Sequence, residues 1–184
     1  MPILTVSGPS GAGKTTLLNA LVIRNRFSFL PSWTTRSRRK SEDESIYKFI
    51  DRDEYQKKFA NGFFVLHDTV AGNSYGTAKR DLESASSDDK FWIADFTAQS
   101  VLDMIKVNQA PDYSVLITIG RKVSEKRMKL RGDTIDQINQ RMKRYDLETS
   151  LGLKIDTELR NLLTIDGTQP PNEIEEAVLA YCKV

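Results

Sequence analysis

The sequence predicts an α/β fold, in which a mostly parallel sheet carries helices on both faces. Apolar runs that suit buried strands, such as PILTVS, KFWIADF and YSVLITIG, alternate along the chain with segments of helical spacing. Parallel strands need crossover connections, and helices in those connections cover both faces of the sheet. Between residues 33 and 77 the pattern changes to short strands and one helix. We therefore expect an inserted α+β lobe on the parallel core.

The first half of the chain alternates between strand and helix patterns. After a short apolar strand, a helix is indicated by apolar residues at helical spacing from Leu17 to Val22. Pro31 suggests an edge or a bend in the extended stretch that follows. Asp51, with Glu54 three residues later, marks the start of the next helix. The predicted elements are the strand PILTVS, the helix KTTLLNALVIRN, the extended stretch FSFLPSWTT, the helix DRDEYQKKFANG, the strand FFVLHDTV and the helix TAKRDLESAS.

The second half repeats the alternation with two strongly apolar strands. Pro111 ends the helix between them, and Gly132 separates two helices that follow the second strand. Pro170 and Pro171 precede the final helix. The predicted elements are the strand KFWIADF, the helix AQSVLDMIK, the strand YSVLITIG, the helices SEKRMKLR and TIDQINQRMKRYDLET, the strand NLLTID and the helix NEIEEAVLAYC.

Composition and charge exclude several classes of protein. The chain has 184 residues, enough for one domain with a substantial core, and 39% hydrophobic with 28% charged residues is ordinary for a globular protein. The formal net charge of +2 gives no reason to expect a nucleic-acid or membrane partner, and the apolar runs are far too short to span a bilayer. The start MPILTVSGP lacks the basic segment of a signal peptide. The single cysteine, Cys182, suits a reducing compartment, so we expect a cytoplasmic protein.

A glycine-rich loop follows the first strand and opens the first helix. Residues 8–15 match G-x-x-x-x-G-K-[ST], a phosphate-binding loop whose backbone N–H groups turn inward toward one anion. Lys14 is expected to reach the β- and γ-phosphates of ATP, and the Thr15 hydroxyl to ligate Mg²⁺. A turn without a ligand is the alternative, but it would not need the lysine and threonine in this context. The predicted fold is therefore that of a P-loop NTPase. The predicted ATP-binding residues are Gly8, Ser10, Gly11, Ala12, Gly13, Lys14, Thr15 and Thr16.

Three further stretches narrow the choice among proteins with such a loop. SWTTRSRR, IYKF and GNSYGT, together with SGPSGAGKTTL, resemble guanylate kinases in order and spacing, from residue 3 to about residue 142 and more loosely to the end of the chain. The resemblance implies one domain in three parts. These are a P-loop core of about residues 1–32, 78–120 and 146–184, an acceptor-binding lobe of about 33–77 and a helical lid of about 121–145.

The resemblance also implies a clamp for the phosphate of the acceptor nucleotide. The matching residues are Arg36, Arg39, Tyr47 and Tyr75. An acceptor monophosphate is a dianion that must lie in line with the γ-phosphate, and guanidinium and phenol groups hold it without competing as nucleophiles. The basic run TTRSRRK, read alone, would indicate a solvated loop.

Lid arginines complete the implied machinery. Arg127, Arg131 and Arg141 match the residues that the family directs at the migrating phosphoryl group, where positioning and charge neutralisation matter most. Asp95 ends a buried strand at the edge where ligands gather, and is expected to hold Mg²⁺ through water, to order the arginines or to cap the strand. Arg144 is expected to be a surface charge.

Two positions depart from the family pattern. Guanylate kinases read guanine with two carboxylates, and Leu66 and Thr97 occupy those positions here, although Ser32 and Thr77 match the hydroxyls near the base. Guanine against leucine would leave donors unpaired, at a cost of about 1–3 kcal/mol each. We therefore predict weak discrimination in favour of guanine. Asp68 lies on the same strand face as Leu66, but the alignment gives no reason to expect it in the site.

The combined prediction is an ATP-dependent phosphotransferase whose partner is a small phosphomonoester. A nucleoside 5′-monophosphate is the expected acceptor, with GMP or dGMP favoured by the family and disfavoured by Leu66 and Thr97. Two alternatives remain open. One is a kinase of the ribose 1,5-bisphosphate type, whose fold and lack of guanine-reading acids are similar. The other is a non-catalytic guanylate-kinase-like module, which typically has a degraded loop and lid.

Overall fold

The computed structural model describes residues 2–23, 27–38, 46–87 and 90–183. The elements, in chain order, are β1 (Ile3–Ser7), α1 (Lys14–Ile23), β2 (Phe27–Phe29), β3 (Ser32–Thr34), β4 (Tyr47–Phe49), α2 (Arg52–Ala60), β5 (Phe64–Val70), β6 (Asn73–Ala78), α3 (Lys79–Ser87), β7 (Phe91–Asp95), α4 (Ala98–Lys106), β8 (Tyr113–Thr118), α5 (Arg121–Leu130), α6 (Ile135–Glu158), β9 (Leu162–Asp166) and α7 (Pro171–Cys182).

The central sheet has the strand order β2-β7-β1-β8-β9, and every neighbouring pair is parallel. Side chains of β1 alternate between its two faces. Leu4 and Val6 pack with residues of α1 and α7, whereas Ile3 packs in a second buried cluster with residues of α4 and α6. Helices therefore cover both faces of the sheet, which confirms the predicted α/β class.

A second sheet, with the order β4-β3-β6-β5, lies between residues 32 and 78. Strand β3 pairs in parallel with β4, and β6 is antiparallel to both β3 and β5. The stretch FSFLPSWTT, predicted as one extended segment, is two strands in different sheets. The chain leaves the central sheet at Leu30, passes Pro31 and enters the second sheet at Ser32. Proline removes a backbone donor, so it suits a point where pairing changes partner.

The long helix α6 extends nine residues past the predicted end of TIDQINQRMKRYDLET, because Leu151 and Ile155 continue its buried face. It begins with a capping box, in which the Thr134 side chain accepts from the Gln137 backbone and the Gln137 side chain accepts in return. Among the residues that the structure describes, no helix combines the length and apolar character needed to cross a membrane.

Candidate active site

A cleft of about 1420 Å³ runs from the loop after β1 to the second sheet. The ends of three central strands contribute Gly8, Asp95 and Gly167 to its wall. Ligands of open parallel sheets bind at the carboxyl ends of the strands. The cleft therefore lies where the fold places a binding site.

The loop between β1 and α1 depends on its glycines. Gly8, Gly11 and Gly13 have φ values of 141°, 78° and 106°, a region that other residues rarely adopt. A Cβ atom on Gly8 would lie 2.2 Å from the carbonyl oxygen of Ile117 in β8. Glycine at this position is thus required both by backbone conformation and by the close approach of the neighbouring strand.

Lys14 and Thr15 begin α1, where the positive end of the helix dipole faces the cleft. The Lys14 ammonium donates to the carbonyl oxygens of Gly8, at 2.7 Å, and of Pro9, at 3.4 Å. These two hydrogen bonds hold the positively charged ammonium group of Lys14 against the backbone of the loop. All eight predicted ATP-binding residues line the cleft: Gly8, Ser10, Gly11, Ala12, Gly13, Lys14, Thr15 and Thr16.

The donor set of the loop fits an ATP–Mg²⁺ complex. Backbone N–H groups, an ammonium and a hydroxyl are the groups that phosphate oxygens and a phosphate-bound Mg²⁺ require. Within the described ranges, no group of three His, Cys, Asp or Glu side chains could hold a metal ion by itself. Such a cluster is not needed, since Mg²⁺ is commonly bound through substrate phosphates with few protein ligands.

Arg127 of α5 holds the loop from the side. Its guanidinium donates to the carbonyl oxygens of Gly11, at 3.1 Å, and of Gly167, at 2.8 Å. Ser124, one turn earlier, donates its hydroxyl to the carbonyl oxygen of Ser10 at 2.7 Å. Sequence reasoning missed Ser124, because a lone serine in a helix carries no motif. The two side chains tie α5 to the phosphate loop.

The other two lid arginines share one carboxylate. Arg131 forms a bidentate ion pair with Asp133, in which Nε lies 2.9 Å from Oδ1. Arg141 donates to the Ser10 hydroxyl at 3.1 Å, and its Nε lies 3.6 Å from Asp133. All of these side chains line the cleft, together with Arg127. The predicted lid arginines are thus brought to one cleft, and Asp133, which was not predicted, links two of them.

Arg36 and Tyr47 lie together on the acceptor side of the cleft. The Arg36 side chain is buried, and its guanidinium lies 5.0 Å from the centre of the Tyr47 ring and 5.6 Å from that of Phe49. The Tyr47 hydroxyl donates to Asp95 at 2.6 Å. Burial, followed by the Asp95 carboxylate, holds the pKa of Tyr47 well above its ordinary range, so the phenol stays a donor. Arg39 lies outside the described residues.

Three further predicted residues on the acceptor side also line the cleft. Ser32 and Thr77 are buried, and Tyr75 is partly buried. The backbone carbonyl of Tyr75 accepts a hydrogen bond from the Tyr55 hydroxyl at 2.7 Å. Burial, with a smaller contribution from Asp68, raises the pKa of Tyr55 to about 12. Tyr55 therefore fixes β6 from the side of α2, which sequence reasoning did not predict.

Leu66 and Thr97 line the cleft as well. Leu66 is 3% exposed and lies opposite Thr77 in the second sheet. Thr97 caps α4, because its hydroxyl accepts from the Ser100 backbone at 3.1 Å. The same hydroxyl donates to Asp68 at 2.7 Å. In this arrangement the hydroxyl proton of Thr97 is already donated to Asp68 and is not available to a ligand.

Arg144 is not the surface charge that its sequence context indicated. Its side chain is only 19% exposed and lines the cleft. It donates to Asp68 at 2.5 Å, to Glu148 at 2.8 Å and to the carbonyl oxygen of Thr69. The spacing of Arg144 and Glu148, four residues apart on one helix, is the signal that could have indicated the pair. The bond to Asp68 could not be read from the sequence.

Comparison with known proteins gives one consistent family. The profile of the family described as guanylate kinase matches residues 1–156. The guanylate kinase of Chlorobium chlorochromatii is 32% identical over 185 residues, which cover 97% of this chain and 95% of the relative. That of Sus scrofa is 32% identical over 153 residues, which cover 80% and 77%. Guanylate kinase 1 of Arabidopsis thaliana is 29% identical over 191 residues, and the match spans 94% of this chain but only 49% of that longer protein.

A solved structure supports the fold. The crystal structure of guanylate kinase from Anaplasma phagocytophilum superposes with a TM-score of 0.72, covering 99% of this chain and 84% of that chain. The sequence identity over this superposition is 21%, so the likeness concerns the fold alone.

Proposed function

The chain belongs to the guanylate kinase family, and on that premise we propose that it transfers the γ-phosphate of ATP to a nucleoside 5′-monophosphate. Family membership makes it an enzyme, a nucleoside monophosphate kinase-like phosphotransferase that uses ATP and Mg²⁺. The observation that carries the proposal is that a complete phosphate loop, with Lys14 and Thr15, shares one cleft with Arg36 and Tyr47. A donor site and an acceptor site in one cleft are what phosphoryl transfer requires.

In the proposed reaction, the loop holds ATP, which is the phosphate donor. Its backbone N–H groups and Lys14 would bind the phosphates of ATP, and Thr15 would ligate Mg²⁺. ATP supplies the transferred phosphoryl group, and Mg²⁺ offsets its negative charge. The bonds from Arg127 to the Gly11 and Gly167 carbonyls keep the loop in shape, so its N–H groups need no rearrangement when charge develops.

On the acceptor side, Arg36, Tyr47 and Tyr75 would hold the dianionic monophosphate, with Arg39 as a fourth member. Tyr47 donates to Asp95 at 2.6 Å, so an arriving phosphate would compete with that carboxylate for the phenolic proton. A tyrosine phenol is protonated at neutral pH, and the raised pKa of Tyr47 extends that range to more alkaline pH, so the phenol does not repel the acceptor.

We propose that residues 33–77 act as the acceptor lobe and residues 121–145 as a lid over the core. Arg127, Arg131 and Arg141 would neutralise charge on the migrating group. For Arg131 this requires exchange of its bidentate partner, Asp133, for phosphate oxygens. Closure of such lids excludes water from the reaction.

Leu66 bears on which acceptor the protein uses. GMP or dGMP is the acceptor named by the family, whereas the buried Leu66 disfavours a guanine reader at that position. The same leucine favours the second candidate, a ribose 1,5-bisphosphate kinase. The complete loop weighs against a non-catalytic module. We further propose a small-molecule partner only, and a cytoplasmic location where ATP and nucleotides are available.

A coupled assay of ADP release tests the proposal. The purified protein is supplied with ATP, Mg²⁺ and, in separate reactions, GMP, dGMP, AMP, CMP, UMP, dTMP or ribose 1,5-bisphosphate at equal concentration. We expect turnover with at least one nucleotide. Turnover with the sugar bisphosphate alone would establish the second candidate, and no turnover with any acceptor would contradict kinase function.

A further inference from the structure

Helix α6 brings a cluster of charged side chains to the part of the cleft where Leu66 and Thr97 lie. Arg144 and Thr97 both donate to the same oxygen, Oδ2 of Asp68, at 2.5 Å and 2.7 Å. Arg144 also donates to Glu148, and both α6 side chains line the cleft. The cluster thus adjoins the positions where the family resemblance places the readers of the base.

Within this cluster, two groups keep unused hydrogen-bonding capacity. The Glu148 side chain is 9% exposed, and its Oε2 atom is buried and accepts no hydrogen bond from the described residues, whereas Oε1 accepts from Arg144. A guanidinium has five N–H groups. Three of those of Arg144 go to Asp68, Glu148 and Thr69. A buried carboxylate oxygen without a partner has lost its hydration and gained no hydrogen bond in return, so it indicates that a donor is missing.

The charge of the cluster indicates what kind of donor is missing. One guanidinium faces two carboxylates, which leaves an excess of negative charge. A second phosphate group, as in a sugar bisphosphate, would be repelled by Asp68 and Glu148. An uncharged N–H group on a nucleobase would instead satisfy Oε2 once the Glu148 side chain turns that buried atom toward the cleft, and an acceptor atom beside it could receive an N–H of Arg144.

We propose that Glu148 and Arg144 read the edge of the acceptor's base, an inference that rests on the proposed transfer to a nucleoside monophosphate. Glu148 accepts from an N–H of the base, and Arg144 donates to the neighbouring ring nitrogen or carbonyl oxygen. Asp68 is a positioning residue that holds the planar guanidinium of Arg144 in its orientation. The acceptor is accordingly a nucleotide, and the reading groups come from α6 instead of the two positions occupied by Leu66 and Thr97.

Calorimetric binding with matched ligands tests the inference. GMP, AMP, CMP, UMP and dTMP are each titrated into the wild type, and ribose 5-phosphate serves as the same acceptor without a base. In Glu148→Gln, the best-bound nucleotide should bind about 10–100-fold more weakly, because a charged acceptor is lost. Ribose 5-phosphate and a non-hydrolysable ATP analogue should bind as before. Glu158→Gln, an exposed glutamate on the same helix, is the matched control and should change nothing.

Further readouts separate a reading role from a structural one. Thermal melting shows whether Glu148→Gln is folded, and Arg144→Lys, which keeps the charge but loses the fork, should show the same selective loss. Asp68→Asn should raise the KM of the nucleotide while leaving kcat and the KM of ATP unchanged. Equal weakening of the nucleotide and ribose 5-phosphate, or no weakening at all, would overturn the inference while leaving the kinase proposal in place. A wild type that binds no nucleotide would instead refute the proposed acceptor itself.

Discussion

The Lys14 side chain links the structure of the phosphate loop to the proposed catalysis. The ammonium is held by two loop carbonyls, at 2.7 Å and 3.4 Å, directly at the start of α1. The carbonyl oxygens orient the charge without neutralising it, so it remains available to phosphate oxygens. Because these bonds are local, losing the side chain should affect chemistry far more than folding.

Replacement of Lys14 by alanine should lower kcat by about 10²–10³-fold, since one preorganised positive group at the developing charge is lost. The free energy of unfolding should stay close to that of the wild type. Steady-state kinetics and chemical denaturation measure the two effects. Lys106→Ala, an exposed lysine on α4, is the matched control. A folded Lys14→Ala enzyme with normal turnover would contradict the kinase mechanism.

Arg36 should matter for the acceptor and not for ATP. Its guanidinium lies against the rings of Tyr47 and Phe49, on the acceptor side of the cleft. Arg36→Ala should weaken acceptor binding by about 1.5–3 kcal/mol, the value of a hydrogen bond to a charged group. Calorimetry with the acceptor and with an ATP analogue separates the two sites, and Arg52→Ala on the exposed face of α2 is the control. Equal loss for both ligands would show that Arg36 has a structural role.

At this scale, sequence reasoning succeeds where the chemistry is local. The loop residues and Lys14 were predicted from one short motif, and all line the cleft. The bond between Arg144 and Asp68 joins residues 76 apart, so no periodicity or motif could indicate it. The charge run around Arg144 indicates a solvated face, and only the tertiary structure brings Arg144 into the cleft.

At the scale of elements, the inner strands β1, β7 and β8 were predictable because each is an apolar run that is largely buried. The second sheet was harder. Strand β6, with the sequence NSYGTA, has neither the apolar run nor the alternation of a typical strand, and it forms because β3 and β5 pair with its two edges. The end of α6 was missed for a related reason, since Leu151 and Ile155 find their contacts only in the folded core.

Gly76 in β6 gives a test of how tightly the second sheet is packed. A Cβ atom there would lie 2.6 Å from the ring of Phe64, and Phe64 in turn stacks on Tyr55 with ring centres 4.6 Å apart. Gly76→Ala should therefore lower the free energy of unfolding by about 1–3 kcal/mol through overpacking. It should also raise the KM of the acceptor, because the adjacent Tyr75 lines the cleft.

The control for this substitution is Gly120→Ala at the start of α5, where an added Cβ meets open space. It should cost less than about 1 kcal/mol, the scale of a lost N-cap preference. Denaturation midpoints of both variants, measured side by side, make the comparison. An equal decrease in the free energy of unfolding for the two variants would show that Phe64 moves aside freely and that the second sheet is loosely packed.

For the whole molecule, the two buried clusters on opposite faces of the central sheet share the strand β1. The cluster that contains α1 also contains α7 and the only cysteine, Cys182, which is 2% exposed. Helix α1 begins at the phosphate loop and packs with α7 in this buried cluster. A ligand bound at the loop should therefore also stabilise the packing of α7. We expect the chain to unfold as one cooperative unit that a bound nucleotide stabilises.

Labelling of Cys182 by a thiol reagent measures that cooperativity. Burial raises the pKa of its thiol to about 12, so at pH 8 almost no thiolate exists in the folded protein and labelling should require unfolding. A non-hydrolysable ATP analogue with Mg²⁺ at about 100 times its Kd should stabilise the fold by about 2.7 kcal/mol and slow labelling by about 100-fold. Labelling of the denatured chain, with and without the analogue, controls for effects on the reagent. If the analogue leaves the rate in the folded protein unchanged, Cys182 reacts through separate opening of α7, and the molecule is not one unit.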